Sequence, residues 1–286
     1  MTFKNDVHCF KVFNIMSALV ATLAFVPCAD AATKEQILRD VLHKDPVVRK
    51  NAIIEGRNIK MDTLELGGIC ATALNDSAHT VQKEAIVTLD SLGPSAAPFL
   101  PELTKYMKNK SHEIYFRIMA LKAIGNIETD SNRLLDLLLG VAESSDESEN
   151  LRIQALTQIG NLGTKVKTYL LRLTAMTNAA NSNLFKYKIL ECVARIDPAN
   201  DEAINNLRDA VAGKFGRKHS IREGVSTMQY DIFSDSVMTL QDVLTKEDMA
   251  QLLIGYVSSD DAEVRATAIT VIGSLGTAAD QVVPEL

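Results

Sequence analysis

The residues of this 286-residue chain that could support catalysis or metal binding are five histidines, four cysteines and several acidic clusters. HExxH, CxxC, GxSxG, GxxxxGK[ST] and the EF-hand loop are all absent from the sequence. The dyad of His112 and Glu113 has no second copy. We therefore predict a protein that is not an enzyme, with no catalytic residue, no metal ligand and no cofactor.

Three histidines, His43, His79 and His112, are predicted to lie in the turns that join the two helices of successive units. Neighbouring turns of such units are spaced by about 10 Å, whereas zinc requires ligand nitrogens about 2 Å from the metal. We therefore interpret these histidines as exposed turn residues. The acidic turn 146–149 favours the positive start of the following helix rather than calcium binding.

A basic segment, 213–224, reads GKFGRKHSIREG in a chain of net charge −6. Insertions in helical repeats form loops on one face, which is often the binding face. Two interpretations stay open: a solvated loop, or a contact surface for a partner protein. The candidate contact residues are Lys214, Arg217, Lys218, His219 and Arg222.

The first 31 residues are predicted to be a signal peptide. Lys4 and Lys11 precede an apolar run at 12–26, and Ala29-x-Ala31 fits the cleavage rule, with the cut before Ala32. The run is shorter than the roughly 20 residues that span a bilayer. We predict a bacterial periplasmic or secreted protein with no membrane span after cleavage; an uncleaved anchor is the alternative.

The remaining chain repeats itself. Segment 91–103 returns at 274–286, and the DxxVR segment at 45–49 returns at 261–265 in the form DAEVR. Weaker copies occur near residues 82, 117, 152 and 188. The spacing is about 36 residues, the length of a helix pair with its turns.

Each of these anchors opens an amphipathic helix. Val264, Ala268, Val271 and Leu275 follow a helical period, and alanine recurs three residues after most anchors. Glycine at 56, 93, 163 and 276 marks the helix ends. The other helix of each pair is predicted at 34–44, 62–75, 97–109, 131–143, 165–178, 200–212 and 246–258.

These anchors resemble the HEAT repeat, in which a DxxVR turn is followed by alanine and then Leu-Gly or Ile-Gly. The resemblance implies an all-α fold, a right-handed α-solenoid of about seven two-helix repeats over 32–286 whose last repeat is incomplete. It also implies a structural ladder of side chains between units, interrupted at Gln82 and Lys188. The ladder residues are Asp45, Arg49, Arg117, Arg152, Asp261 and Arg265.

A linear array also determines what happens to the two cysteines beyond the signal segment, Cys70 and Cys192. They would lie on the order of 30 Å apart, whereas a disulfide requires Cα atoms within roughly 7 Å. We predict two buried thiols, and we predict that segments remote in sequence do not meet.

Function is predicted only as a class. The chain is acidic, with 30 Lys and Arg against 36 Asp and Glu, which disfavours nucleic acid or an anionic membrane as a partner. The first hypothesis is an exported scaffold that binds another protein through the solenoid surface. The alternative is a lyase or chaperone-type enzyme acting on a protein-bound cofactor, because phycobilin lyases carry similar repeats; this rests on fold analogy.

Overall fold

A computed structural model describes residues 33–178, 180 and 182–281 of the chain. The predicted signal segment 1–31 and the end of the predicted incomplete repeat lie outside the described residues. The chain divides into two compact units, 1–61 and 62–286, and each is described by itself.

The first unit contains one helix pair, α1 (Lys34–Asp40) and α2 (Pro46–Asn58). Thr33 caps α1, because its hydroxyl accepts a hydrogen bond from the backbone N–H of Gln36 at 3.2 Å. Asp45 caps α2 in the same way through the N–H of Val47. Both caps satisfy helix-end donors that have no partner within the helix.

The second unit continues with helix pairs, broken by short 3-10 segments and one pair of strands. The 3-10 segments are Gly93–Phe99, Gly163–Tyr169, Ile254–Tyr256 and Gly276–Gln281. The helices are α3 (Thr63–Ala73), α4 (His79–Leu92), α5 (Leu100–Lys108), α6 (Ile114–Ile127), α7 (Ser131–Glu143), α8 (Glu149–Asn161), α9 (Leu170–Asn178), α10 (Asn183–Ile196), α11 (Asp201–Val211), α12 (Ile232–Gln241), α13 (Lys246–Leu253) and α14 (Ala262–Ser274).

The second helix of each pair in this unit packs against the second helix of the next pair, in the order α4, α6, α8, α10, α12 and α14. Each first helix packs on its own partner. Ala85, Ala120, Ala155 and Ala268 are fully buried, so neighbouring helices approach closely. Counting α1 with α2, seven helix pairs occupy the described residues, and the predicted all-α repeat is confirmed.

Two first helices begin later than the periodicity predicts. Gly93 and Gly163 have φ values of 57° and 61°, which end α4 and α8 as expected, whereas α2 continues past Gly56 to Asn58, so the helix end predicted at Gly56 is wrong. A 3-10 segment then follows each glycine and delays α5 and α9 to Leu100 and Leu170. Residues 97–99 and 165–169, predicted to start these α-helices, therefore belong to the tighter 3-10 turns.

The strands β1 (Lys218–Glu223) and β2 (Ser226–Asp231) form an antiparallel hairpin between α11 and α12. Glu223 opposes Ser226, and Gly224, with φ of 59°, occupies the first position of a two-residue turn. The sequence predicts a loop over 213–224, and the structure shows a hairpin there instead. Among the described residues, no helix is long and apolar enough to cross a membrane.

Candidate partner-binding surfaces

Arg117 at the start of α6 joins two successive helix pairs. Its side chain is buried, with Nε donating to the carbonyl oxygen of Met107 at 2.7 Å and Nη2 donating to Glu147 Oε2 at 2.7 Å. Met107 lies in α5 of the same pair, and Glu147 lies in the turn of the next pair. One guanidinium therefore caps a helix end and links two successive helix pairs.

Arg152, the equivalent residue of α8, has a different second contact. Its Nε donates to the carbonyl oxygen of Ala142 at 2.9 Å, and its guanidinium carbon lies 4.0 Å from the ring centroid of Phe185. Phe185 belongs to α10 of the next pair. A cation–π contact thus takes the place of the ion pair that Arg117 makes.

The outer members of the predicted ladder close their own turns. Arg49 donates to the carbonyl oxygens of His43 and Lys44, and Arg265 donates to that of Ser259. Asp45 and Asp261 accept hydrogen bonds from the first backbone N–H groups of α2 and α14. These contacts stabilise the turn before each second helix.

Gln82 continues the row of contacts between units, although the resemblance predicts an interruption there. It is buried, and its Oε1 accepts from the hydroxyl of Tyr106 in the next pair at 2.7 Å. Its Nε2 donates to the carbonyl oxygen of Asp76. The amide makes both a turn contact and an inter-unit contact, so the interruption predicted at this position is wrong.

Lys188 in α10 is the second position where an interruption is predicted. Its Nζ donates to Glu191 Oε2 at 2.8 Å and to Asp235 Oδ2 of α12 at 2.6 Å. Burial lowers the pKa of this ammonium, but the two carboxylates outweigh burial and the pKa is raised. The lysine therefore stays charged and ties α10 to α12, so the interruption predicted here is also wrong.

The basic segment 213–224 forms the approach to the hairpin and its first strand, and its charges are largely neutralised within the chain. Arg217 forms ion pairs with Asp261 and with Glu263, the latter at 2.7 Å, and lies 3.7 Å from Asp231. Lys218 Nζ lies 2.6 Å from Glu263 Oε2. The base of the hairpin is thereby fixed to the first turn of α14.

The other three candidate contact residues have local partners. Lys214 forms an ion pair with Asp209 at 2.7 Å. His219 Nε2 lies 2.7 Å from the carbonyl oxygen of Phe215, and Arg222 Nε is 3.5 Å from that of Gly224 in the hairpin turn. Arg222 is the most weakly held of the five candidate contact residues, and it is exposed.

The inner side of the hairpin reaches back to an earlier unit. The hydroxyl of Tyr230 donates to Asn150 Oδ1 at 2.8 Å, and Asn150 lies in the first turn of α8. Lys188 Nζ lies 5.6 Å from the ring centroid of Tyr230. Residues 80 positions apart therefore meet, and the prediction that remote segments stay apart is wrong.

An open cleft of about 740 Å³ lies between the hairpin and α14, and we call it the hairpin cleft. It presents a lysine, a histidine, two carboxylates, an amide and several hydroxyls. Its lining residues are Lys218, His219, Ser220, Gln229, Tyr230, Asp231, Ser234, Glu263, Ala266 and Thr267. Such a mixture of donors and acceptors suits a polar, hydrogen-bonding ligand.

A second depression of about 480 Å³, the second-helix groove, lies along α6 and α8. Its lining residues are Lys122, Gly125, Asn126, Leu134, Gln154, Thr157, Gln158, Asn161 and Leu162. Asn126 donates to Asp90 of α4 at 2.8 Å, and Gln158 donates to the carbonyl oxygen of Leu121 at 2.9 Å. These amide contacts cross from one helix pair to the next along the groove.

The three histidines predicted in turns are not equivalent, and His79 is the first residue of α4 rather than a turn residue. His43 is exposed, and His79 Nδ1 lies 3.3 Å from Glu113 Oε1 of the next unit. His112 is half-buried and stacks on Tyr106 with ring centroids 3.9 Å apart. Burial, with the nearby charges of His79 and Arg117, lowers the pKa of His112. The prediction of a fully exposed side chain is therefore wrong for His112.

Cys70 in α3 and Cys192 in α10 are both buried thiols, as predicted. Burial raises the pKa of Cys192, and Glu191 adds to the effect. This thiol is therefore neutral at physiological pH. Within 33–178, 180 and 182–281, no three His, Cys, Asp or Glu side chains are grouped so that they could hold a metal ion.

Comparison with known proteins returns solved structures only. No protein-family model matches the chain, and no curated protein matches it. Similar structures include the Kap95:Nup1 complex (14% identity, TM-score 0.46) and importin beta in an ammonium sulfate condition (13%, 0.47). The chain is covered to 86% and 85% in these matches but spans 35% of either of those chains.

A designed armadillo repeat protein, YIII(Dq)4CqI, is also similar, with 15% identity and a TM-score of 0.33. In this case 84% of the present chain and 99% of the designed one are covered. The assignment of a helical repeat rests on the helix pairs and their stacking order in this chain.

Proposed function

We propose that the protein is an exported scaffold that binds another protein and has no catalytic role. The observation that carries the proposal is the row of second helices, α4 to α14. Because these helices pack side by side, the polar second-helix groove extends over neighbouring helix pairs. A surface built across units offers an extended contact area that one helix pair lacks.

The second-helix groove suits a protein ligand because its amides retain hydrogen-bonding capacity. The side chains of Gln154 and Asn161 make no hydrogen bond with any other described residue. Each amide has two donor hydrogens and an acceptor oxygen, which matches the backbone and polar side chains of a partner. Lys122 and Asn161 are exposed, so the groove is open to a partner.

Export is the second part of the proposal and rests on the segment 1–31. The apolar run and the Ala29-x-Ala31 site predict cleavage before Ala32. Intact-mass measurement of the protein recovered from its host tests this: a mass that begins at Ala32 supports export, and a chain that still begins at Met1 contradicts cleavage.

The scaffold proposal is tested by a photo-crosslinking amino acid at Asn161, in the second-helix groove. Gly140 on α7 is the matched control, because a Cβ added there meets no atom within 4 Å and the substitution leaves packing intact. We expect a discrete protein adduct from position 161, identified by mass spectrometry, and none from position 140. The purified partner should then bind the purified protein.

Either of two outcomes would overturn the proposal. One is the absence of any adduct from position 161 across salt conditions in the native host. The other is the same set of adducts from positions 161 and 140, because random collision labels both faces alike.

A further inference from the structure

Among the residues that the structure describes, no strand pairs with either outer edge of the hairpin. The described residues place β1 and β2 in a two-stranded sheet. An unpaired edge offers backbone N–H and C=O groups to another extended chain. We propose that the outer edge of β1 binds an extended, acidic polypeptide segment by strand addition. This rests on the scaffold function proposed above and adds to it a binding mode and a partner chemistry.

The register determines which backbone N–H and C=O groups point to the free edge of each strand. The backbone N–H of Ile232 donates to the carbonyl oxygen of Arg217 at 2.8 Å, which makes these two a hydrogen-bonded pair that continues the hairpin register. Along an antiparallel ladder, hydrogen-bonded pairs alternate with pairs whose backbone groups point away from the partner strand. The backbone groups of 219, 221 and 223 therefore point toward β2, and those of Lys218, Ser220 and Arg222 point to the free edge.

Charge distinguishes the two edges. The outward residues of β1 are Lys218, Ser220 and Arg222, and all three side chains are exposed. The outward residues of β2 are Thr227, Gln229 and Asp231, which carry no positive charge. A strand added to β1 places its side chains about 4.5–5.5 Å from those of β1. Carboxylates four residues apart would face Lys218 and Arg222.

The hairpin is held in place before any partner arrives. Tyr230 is bonded to Asn150 of α8, and Arg217 forms ion pairs with Asp261 and Glu263 at the start of α14. A strand fixed in this way loses little conformational freedom on binding, which favours affinity.

The state of the two cations on β1 also fits strand addition. Lys218 already contacts Glu263 at 2.6 Å, but its ammonium has three donor hydrogens and can bind a second carboxylate. Arg222 contacts only its own turn among the described residues, so its guanidinium is available.

The test uses a fluorescent synthetic peptide, Thr-Glu-Val-Thr-Val-Glu-Thr, blocked at both ends, and the purified protein. Its glutamates are spaced to face Lys218 and Arg222. Fluorescence anisotropy is expected to give saturable binding with a dissociation constant below about 1 mM. Peptides with one N-methyl group, on the central Thr or on the next Val, distinguish backbone pairing from charge attraction alone.

Two variants form a matched pair, because Ser220 and Gln229 face each other in the register and both have outward N–H groups. Proline is tolerated where a strand N–H faces solvent. Ser220→Pro blocks the β1 edge and should weaken binding at least about fivefold, since backbone bonds are lost. Gln229→Pro blocks the β2 edge and should leave affinity within about twofold of wild type.

Three results would overturn strand addition at β1: no binding of the peptide, equal loss in both proline variants, or equal binding of the two N-methyl peptides. Circular dichroism verifies that each variant is folded, and Arg222→Gln provides a further test that leaves the backbone intact. If the peptide fails while Asn161 still yields its adduct, the scaffold function stands and this binding mode is wrong.

Discussion

Replacing Arg117 with methionine should be among the most destabilising single changes in this repeat. The guanidinium is only 4% exposed and makes two hydrogen bonds, to Met107 O and to Glu147 Oε2, both at 2.7 Å. Its removal leaves a helix-end carbonyl and a largely buried carboxylate without their cation. Breaking a buried ion pair from one side costs about 3–5 kcal/mol.

Arg152→Met is the matched comparison, since Arg152 occupies the equivalent position one unit later. It loses one hydrogen bond and a cation–π contact but leaves no carboxylate unpaired. Its expected cost is about 1–2 kcal/mol. The two substitutions therefore separate the ion-pair contribution from the loss of a helix cap.

Urea unfolding followed by circular dichroism gives the free energies, and amide hydrogen exchange in α6 shows whether unfolding stays cooperative. Glu147→Gln should recover part of the Arg117→Met loss, because it removes the unpaired charge, and the cycle gives the coupling energy. A cost for Arg117→Met below about 1 kcal/mol, or no greater than that of Arg152→Met, would refute the inter-unit role of this ion pair.

Three further changes test other parts of the structure. Gly67→Ala should destabilise the protein by about 1–3 kcal/mol, because the new Cβ would lie 2.0 Å from the Phe99 ring. Gly68→Ala places its Cβ in open space and should stabilise α3 by up to about 1 kcal/mol. The midpoints of urea unfolding measure both changes. Tyr230→Phe should cost about 1–3 kcal/mol, because Asn150 loses its hydroxyl donor, and faster amide exchange in the hairpin would report it. Because the pKa of His112 is lowered in the folded protein, the unfolded chain binds more protons than the folded chain as pH falls below 6.5. The melting temperature should therefore drop on acidification. His112→Phe keeps the ring stacking and should show a smaller drop.

The helix pairs could be predicted because their determinants are local. These determinants act within one or two turns of helix, and examples are the apolar period of α14, the buried Ala155 and Ala268, and the turn glycine Gly276. The capping side chains Thr33 and Asp45 act over two or three residues. A repeated local pattern also fixes the stacking partner, because each pair has one apolar stripe to bury.

The hairpin was missed although its signal is present in the sequence. Met228 and Tyr230 alternate with polar residues in the second strand, Ile221 stands between polar neighbours in the first, and Gly224 stands first in a two-residue turn, a pattern that is compatible with a hairpin. The charges of Lys218 and Arg222 favour a solvated loop over a strand when the sequence is considered alone. The contact of Tyr230 with Asn150 follows from no periodic pattern, because one complete helix pair, α9 with α10, and the further helix α11 lie between the two residues in the chain.

Charge reversal at Arg217 and Lys218 is the obvious way to test whether the basic segment binds an acidic partner, but the structure gives that experiment two readings. Both cations contact Glu263, and Arg217 also pairs with Asp261. Reversing them would release the hairpin from α14 and alter its edge at the same time. A proline at Ser220 leaves those ion pairs intact and removes one outward N–H. Loss of binding in that variant can then be attributed to the strand edge rather than to a displaced hairpin.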